Sequence, residues 1–133
     1  MALTADRNTA FKDGELLVRG VAASTTVYAG SMVARNASGY MVPAADAAGL
    51  VVLGMAEEQV VNSGADGAET VQVRRKKAFQ FANSAANPVT IAHIGTDIYV
   101  EDDETVASAG GTNSIVAGKC LDVDSGGVWV EIG

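Results

Sequence analysis

Along most of the chain, apolar and polar residues alternate in short runs bounded by turn residues, a period of two that belongs to strands rather than helices. The first run, residues 15–22, is entered through Lys12-Asp13-Gly14. The second, 26–35, sets Val27, Ala29, Ser31 and Val33 on one face and Tyr28, Gly30, Met32 and Ala34 on the other. Asn36-Ala37-Ser38-Gly39 supplies residues that tolerate the positive φ of a hairpin turn, so 40–43 returns as a strand that Pro43 ends. The alanine-rich stretch 44–49 is long enough for one helical turn and too short for an independent helix. The strand pattern resumes over 50–61, where Gly54 marks a bulge or a close backbone approach.

After the loop 62–67 comes the longest strand-like run, 69–82. A looser stretch, 83–95, contains Pro88 and predicts a short turn of helix over 89–94. Residues 97–100 and 104–107 form a hairpin around Asp102-Asp103, and 109–113 is a loop. The chain ends with 115–123 and 128–132 flanking Asp124-Ser125-Gly126-Gly127, a further hairpin. Roughly eight to ten short strands, no long helical pattern and no internal repeat predict a single all-β domain over 1–133, a jelly-roll-like sandwich or barrel.

Composition sharpens that picture. Valine supplies 18 of the 133 residues, which suits a pleated, half-buried surface. With 48% hydrophobic and 19% charged residues, the chain lacks the low hydrophobicity and high charge of a disordered protein. A net charge of −7 would repel a phosphate backbone unless one face were locally basic, so nucleic acid is not an expected partner. The longest apolar stretches, such as 50–53, fall far short of the ~20 residues that span a bilayer, so no membrane partner is expected either. The first residues carry no basic leader before an apolar core, which predicts a cytoplasmic product.

Candidate chemistry is sparse. One cysteine excludes an internal disulfide framework and multi-cysteine metal motifs, and one histidine excludes HExxH-type sites. Glu101-Asp102-Asp103-Glu104 reads as a solvated hairpin tip, because consecutive carboxylates there diverge rather than converge on calcium. Asp122-Val123-Asp124-Ser125-Gly126 lacks the later ligands of an EF-hand loop. Cys120 and His93 are the only nucleophile and base of their kinds, and nothing in the sequence positions one against the other. No cofactor, metal or catalytic residue is nominated, and the chain reads as no enzyme.

Two features point to interactions instead. Residues 1–13 carry no convincing period, and are read as an extended arm that orders against a neighbour, with a frayed terminus as the alternative. Arg74-Arg75-Lys76-Lys77 is the one concentrated positive charge, inside a strand pattern. An unbroken strand would place Arg75 and Lys77 on the apolar face of Val71, Val73, Phe79 and Phe81, at high cost unless paired. Two separate strands or bulges would resolve this, and so would a face left uncovered to meet acidic groups. A charged edge strand that discourages aggregation is the plain alternative. An acidic protein surface is a better counterpart than phosphate, since no exposed aromatics interleave the cations.

Several stretches in order resemble a known family: the opening Met1-Ala2-Leu3-Thr4-Ala5-Asp6-Arg7-Asn8-Thr9, Val27-Tyr28-Ala29-Gly30 before Asn36-Ala37-Ser38-Gly39-Tyr40, and Phe79-Gln80-Phe81-Ala82-Asn83-Ser84. Ile94-Gly95-Thr96-Asp97 with Tyr99-Val100, and the ending Val116-Ala117-Gly118 through Val128-Trp129-Val130-Glu131-Ile132, complete the series. Together they resemble the capsid cement, or decoration, proteins of tailed bacteriophages, particularly the Bordetella-phage type. The resemblance spans nearly the whole chain and rests on strand and turn residues rather than chemical signatures. It implies a jelly-roll-like domain on the outer surface of the virion that bridges capsomers of the phage major capsid protein. It also implies a homo-oligomer, a dimer in preference to a trimer. The expected contacts are Leu3, Thr4, Asp6 and Arg7 of the arm, Arg74, Arg75, Lys76 and Lys77, and Trp129 on the last strand. Lys76-Lys77 departs from the family pattern, in which a glycine often follows the two arginines. The runner-up function is a binding module for carbohydrate or a host surface, built around Tyr28, Tyr40, Tyr99 or Trp129.

Overall fold

The computed structural model describes residues 1–10 and 12–133; Phe11, inside the expected arm, lies outside the described residues. Among the described residues are twelve strands and one turn of 3-10 helix. Seven strands make up the first part: β1 (Leu16–Gly20), β2 (Thr25–Val27), β3 (Met32–Arg35), β4 (Met41–Pro43), β5 (Val51–Ala56), β6 (Val60–Asn62) and β7 (Thr70–Arg74). The second part holds β8 (Lys77–Asn83), the 3-10 turn Ile91–His93, β9 (Asp97–Val100), β10 (Thr105–Ala107), β11 (Val116–Asp124) and β12 (Gly127–Ile132).

These strands form a five-stranded sheet ordered β1-β7-β5-β3-β4, a closed barrel ordered β10-β8-β12-β11-β9, and a two-stranded ribbon, β2-β6. The expectation of an all-β sandwich or barrel holds. Hairpins dominate the pairing, but β10 lies parallel to β8, with Thr105 opposite Ala82 and Val106 opposite Asn83. That parallel pair closes the barrel and leaves it no edge.

Burial explains why β3 reads as a continuous apolar run. Met32 and Ala34 point into the cluster that fills the barrel, with Phe79, Phe81, Ile98, Val128 and Val130. Val33, between them, joins Val21, Val27, Met41, Ala56, Val71 and Val73 on the opposite face. At β3 the sheet is therefore covered on both sides, by the barrel on one and by the ribbon's Val27 and Val60 on the other.

The sequence predicts nine runs, and three of them divide. Residues 26–35 break at a turn in which Ser31 Oγ donates to the Tyr28 carbonyl (2.7 Å) and Gly30 adopts φ +81°. That break overturns the predicted single alternation across 26–35. Residues 50–61 divide between β5 and β6, and 69–82 divides at Arg75-Lys76. Gly54 is a close backbone approach, since a Cβ there would sit 2.1 Å from the Arg74 carbonyl oxygen, and a bulge in the β3–β5 pairing adjoins it. The stretch 44–49 forms no helix; the Asp46 carboxylate instead accepts hydrogen bonds from the backbone N–H groups of Thr112 and Asn113, both at 2.9 Å. No helix is long and apolar enough to cross a membrane among the described residues.

Candidate interaction surface

The basic run sits at the crossover from sheet to barrel, and its break is local chemistry. Lys76 adopts φ +60°, a left-handed conformation rare outside glycine. Its N–H donates to the Ile132 carbonyl (2.6 Å), while the N–H of Arg75 donates to the Glu15 carbonyl (2.7 Å). The chain thus leaves β7 beside β1 and enters β8 beside β12 without crossing a core. Lys77 keeps the parity of Phe79 and Phe81 but lies opposite Ile132 at the barrel mouth, where its side chain is half exposed. Two separate strands are how the chain avoids buried cations. Neither strand is an edge, since β7 lies between β1 and β5 and β8 belongs to the barrel, so the aggregation-guard reading is overturned.

The four cations have different neighbours. Arg74 Nε donates to Glu57 Oε1 at 2.5 Å, and that hydrogen bond, with the carboxylate's charge, raises the guanidinium pKa. Arg75 Nε reaches the Leu53 carbonyl (3.3 Å). Lys77 Nζ lies 3.7 Å from Glu15 Oε2. Lys76 lies against Gly14, where a Cβ would stand 2.6 Å from its Nζ.

Lys76 and Lys77 meet a third cation that the sequence did not nominate. With Lys119, Asp97, Leu121 and Glu131 they line an open groove of about 880 Å³ along β11 and the end of β12. Lys119 Nζ pairs with Asp97 Oδ1 at 3.3 Å and stands opposite Glu131 in the β11–β12 ladder. Leu121 is half exposed because a bulge between Cys120 and Asp122 leaves it without a cross-strand partner. A smaller depression of about 420 Å³ shares Gly118, Ile132 and Gly133 with the groove and adds Leu50, Val51 and Val116. Basic and apolar surface therefore run together.

Trp129 stands apart from this groove. Alternation with buried Val128 and Val130 puts it on the outer barrel wall, half buried, with Nε1 donating to Asp124 Oδ2 at 2.9 Å. Gln80 Nε2 and the Gly126 N–H donate to the other oxygen of that carboxylate, at 2.9 and 2.8 Å. Leu3, Thr4, Asp6 and Arg7 are exposed, as is every residue over 1–10. The segment joins the body at Gly14, beside Lys76.

The remaining candidates are separated. Tyr28 lines a depression of about 270 Å³ with Ser31, Asp103 and Glu104, while Tyr40, Tyr99 and Trp129 lie elsewhere. The buried Cys120 thiol faces the Asp122 carbonyl, and burial pushes its pKa up, away from the thiolate a nucleophile needs. His93 Nδ1 accepts the Thr90 N–H at 2.9 Å. Among the described residues no three of His, Cys, Asp or Glu converge to hold a metal ion. No protein-family model matches the chain, and neither the curated proteins nor the solved structures yield a match.

Proposed function

We propose that this protein is a capsid cement, or decoration, protein, which sits on the outside of an assembled phage head and clamps neighbouring capsomers of the major capsid protein. The observation that carries the reading is an exposed segment, 1–10, joined to a sheet-built body beside a groove that mixes lysines with apolar side chains. The ordered strand and turn motifs that resemble the decoration proteins support the same reading. In it the protein is made in the bacterial cytoplasm, acts as a homo-oligomer on the virion surface, and needs neither cofactor, nucleic acid nor membrane.

A cement protein must gain its binding energy on the finished lattice rather than on free capsid subunits. Several modest contacts tied to one body do this, because each later contact forms at a high effective concentration. A body of short loops loses little conformational freedom on docking. The arm adds contacts where two capsomers meet, and the groove's lysines favour an acidic shell surface. Co-sedimentation with expanded capsids and with isolated capsid subunits tests the proposal. Binding to the capsids alone is expected, and equal affinity for both overturns it.

A further inference from the structure

β1 is the outer strand of the five-stranded sheet, and its backbone shows which groups lack a partner. The Arg75 N–H donates to the Glu15 carbonyl, and the Val21 N–H to the Glu69 carbonyl. In this antiparallel ladder the odd-numbered residues of β1 thus turn their N–H and C=O groups toward β7. The even-numbered ones turn outward. Ala22, next in that outward series, donates its N–H to the Met41 carbonyl of β4 (3.0 Å), where a single parallel bridge between Val21 and Met41 curls the sheet back on itself. Among the described residues Leu16 and Val18 have no such neighbour, and β1 pairs with β7 alone. Their side chains share one face and are 42% and 51% exposed. Natural sheets rarely leave such an edge uncovered.

We propose that this edge pairs with β1 of a second copy, antiparallel across a twofold axis at Leu17, joining two sheets into one. Outward-facing groups must meet outward-facing groups, which limits the register to even opposite even. With the axis at Leu17, Leu16 stands opposite Val18 of the second copy, and the two residues exchange a pair of backbone hydrogen bonds. Symmetry repeats that pair on the other side of the axis. The exposed leucines and valines then cover one another on one face.

On the other face, Glu15 stands opposite Arg19 of the second copy at both ends of the contact. Arg19 is exposed and takes part in none of the ion pairs among the described residues. Moving the axis to Val18 places Glu15 opposite Val21 and loses both charge pairs; moving it to Leu16 places Glu15 opposite Leu17 and sets Arg19 opposite Asp13, which lies before the bend that leads into β1 and already accepts the Glu15 N–H at 3.1 Å. Backbone parity allows each of these axes, and the Glu15–Arg19 pairing is what favours Leu17. The contact is self-complementary, as a twofold interface requires. It rests on the homo-oligomer part of the proposed function and not on capsid binding.

Sedimentation equilibrium of the purified full chain tests it. The wild type is expected to form dimers that Glu15→Arg and Arg19→Glu each weaken by about tenfold or more, because like charges then face one another twice. Mixing those two variants restores association as a heterodimer, and the double variant E15R/R19E restores it in one chain. Val18→Pro removes an outward N–H and leaves the β1–β7 ladder intact, so it gives a folded monomer by circular dichroism. A wild type that stays monomeric overturns both this interface and the homo-oligomer reading. A dimer that survives Val18→Pro and both charge reversals overturns the interface alone. Capsid co-sedimentation reads the remaining part of the function separately.

Discussion

Asp124 ties together the last hairpin and the outer barrel wall through the Trp129 indole, the Gly126 N–H and Gln80. Hydrogen bonds to the charged carboxylate, that of Trp129 first among them, hold its pKa below the ordinary aspartate value. A carboxylate depressed in the folded state contributes stability that is fully present above its unfolded value, about 3.9, and is lost as pH falls through the folded value. Because Trp129 is the only tryptophan, its emission reports the titration directly. A transition with its midpoint below about 3.9 is expected, absent in Asp124→Asn; a midpoint at or above that value contradicts the assignment. Cys120 behaves in the opposite sense, its thiol raised by burial. It is expected to react with a thiol reagent only on unfolding, and rapid labelling of the native protein would contradict its place in the barrel core.

Between β7 and β8 the direction of the chain depends on one residue held left-handed, Lys76. Lys76→Ile puts a β-branched side chain there and should lower stability by about 1 kcal/mol or more in urea unfolding. Lys76→Gly relieves the conformation but frees the unfolded chain, leaving stability nearly unchanged. Equal effects of the two would show that the left-handed turn is not what fixes the crossover. The same turn shows where the sequence is silent. Hairpins were legible because Asn36 to Gly39 and Asp124 to Gly127 carry their own turn chemistry, with the Asn36 side chain accepting from Ser38 and Tyr40. The split at Lys76 carries no glycine or proline, so only the misplaced parity of Arg75 and Lys77 hinted at it. The parallel contact of β10 with β8 joins distant segments and has no local signature. The groove is equally hidden, since Lys119 meets Asp97 through strand register and Leu121 is turned outward by a bulge.

For the whole molecule, two hydrophobic clusters share the five-stranded sheet, while residues 1–10 contribute to neither. Deleting residues 1–9 should therefore leave the circular dichroism spectrum and thermal midpoint unchanged while lowering occupancy on capsids. Unchanged occupancy would remove the arm from the proposed clamp. A β1–β1 dimer would set two such arms and two lysine-lined grooves on one rigid body, enough to engage more than one capsomer at once. A reconstruction of intact particles carrying the protein tests the account most directly. The prediction is density for this chain on the outer face of the shell, spanning adjacent capsomers. Particles whose outer surface lacks it, or a chain resting wholly within one capsomer, would contradict the clamp.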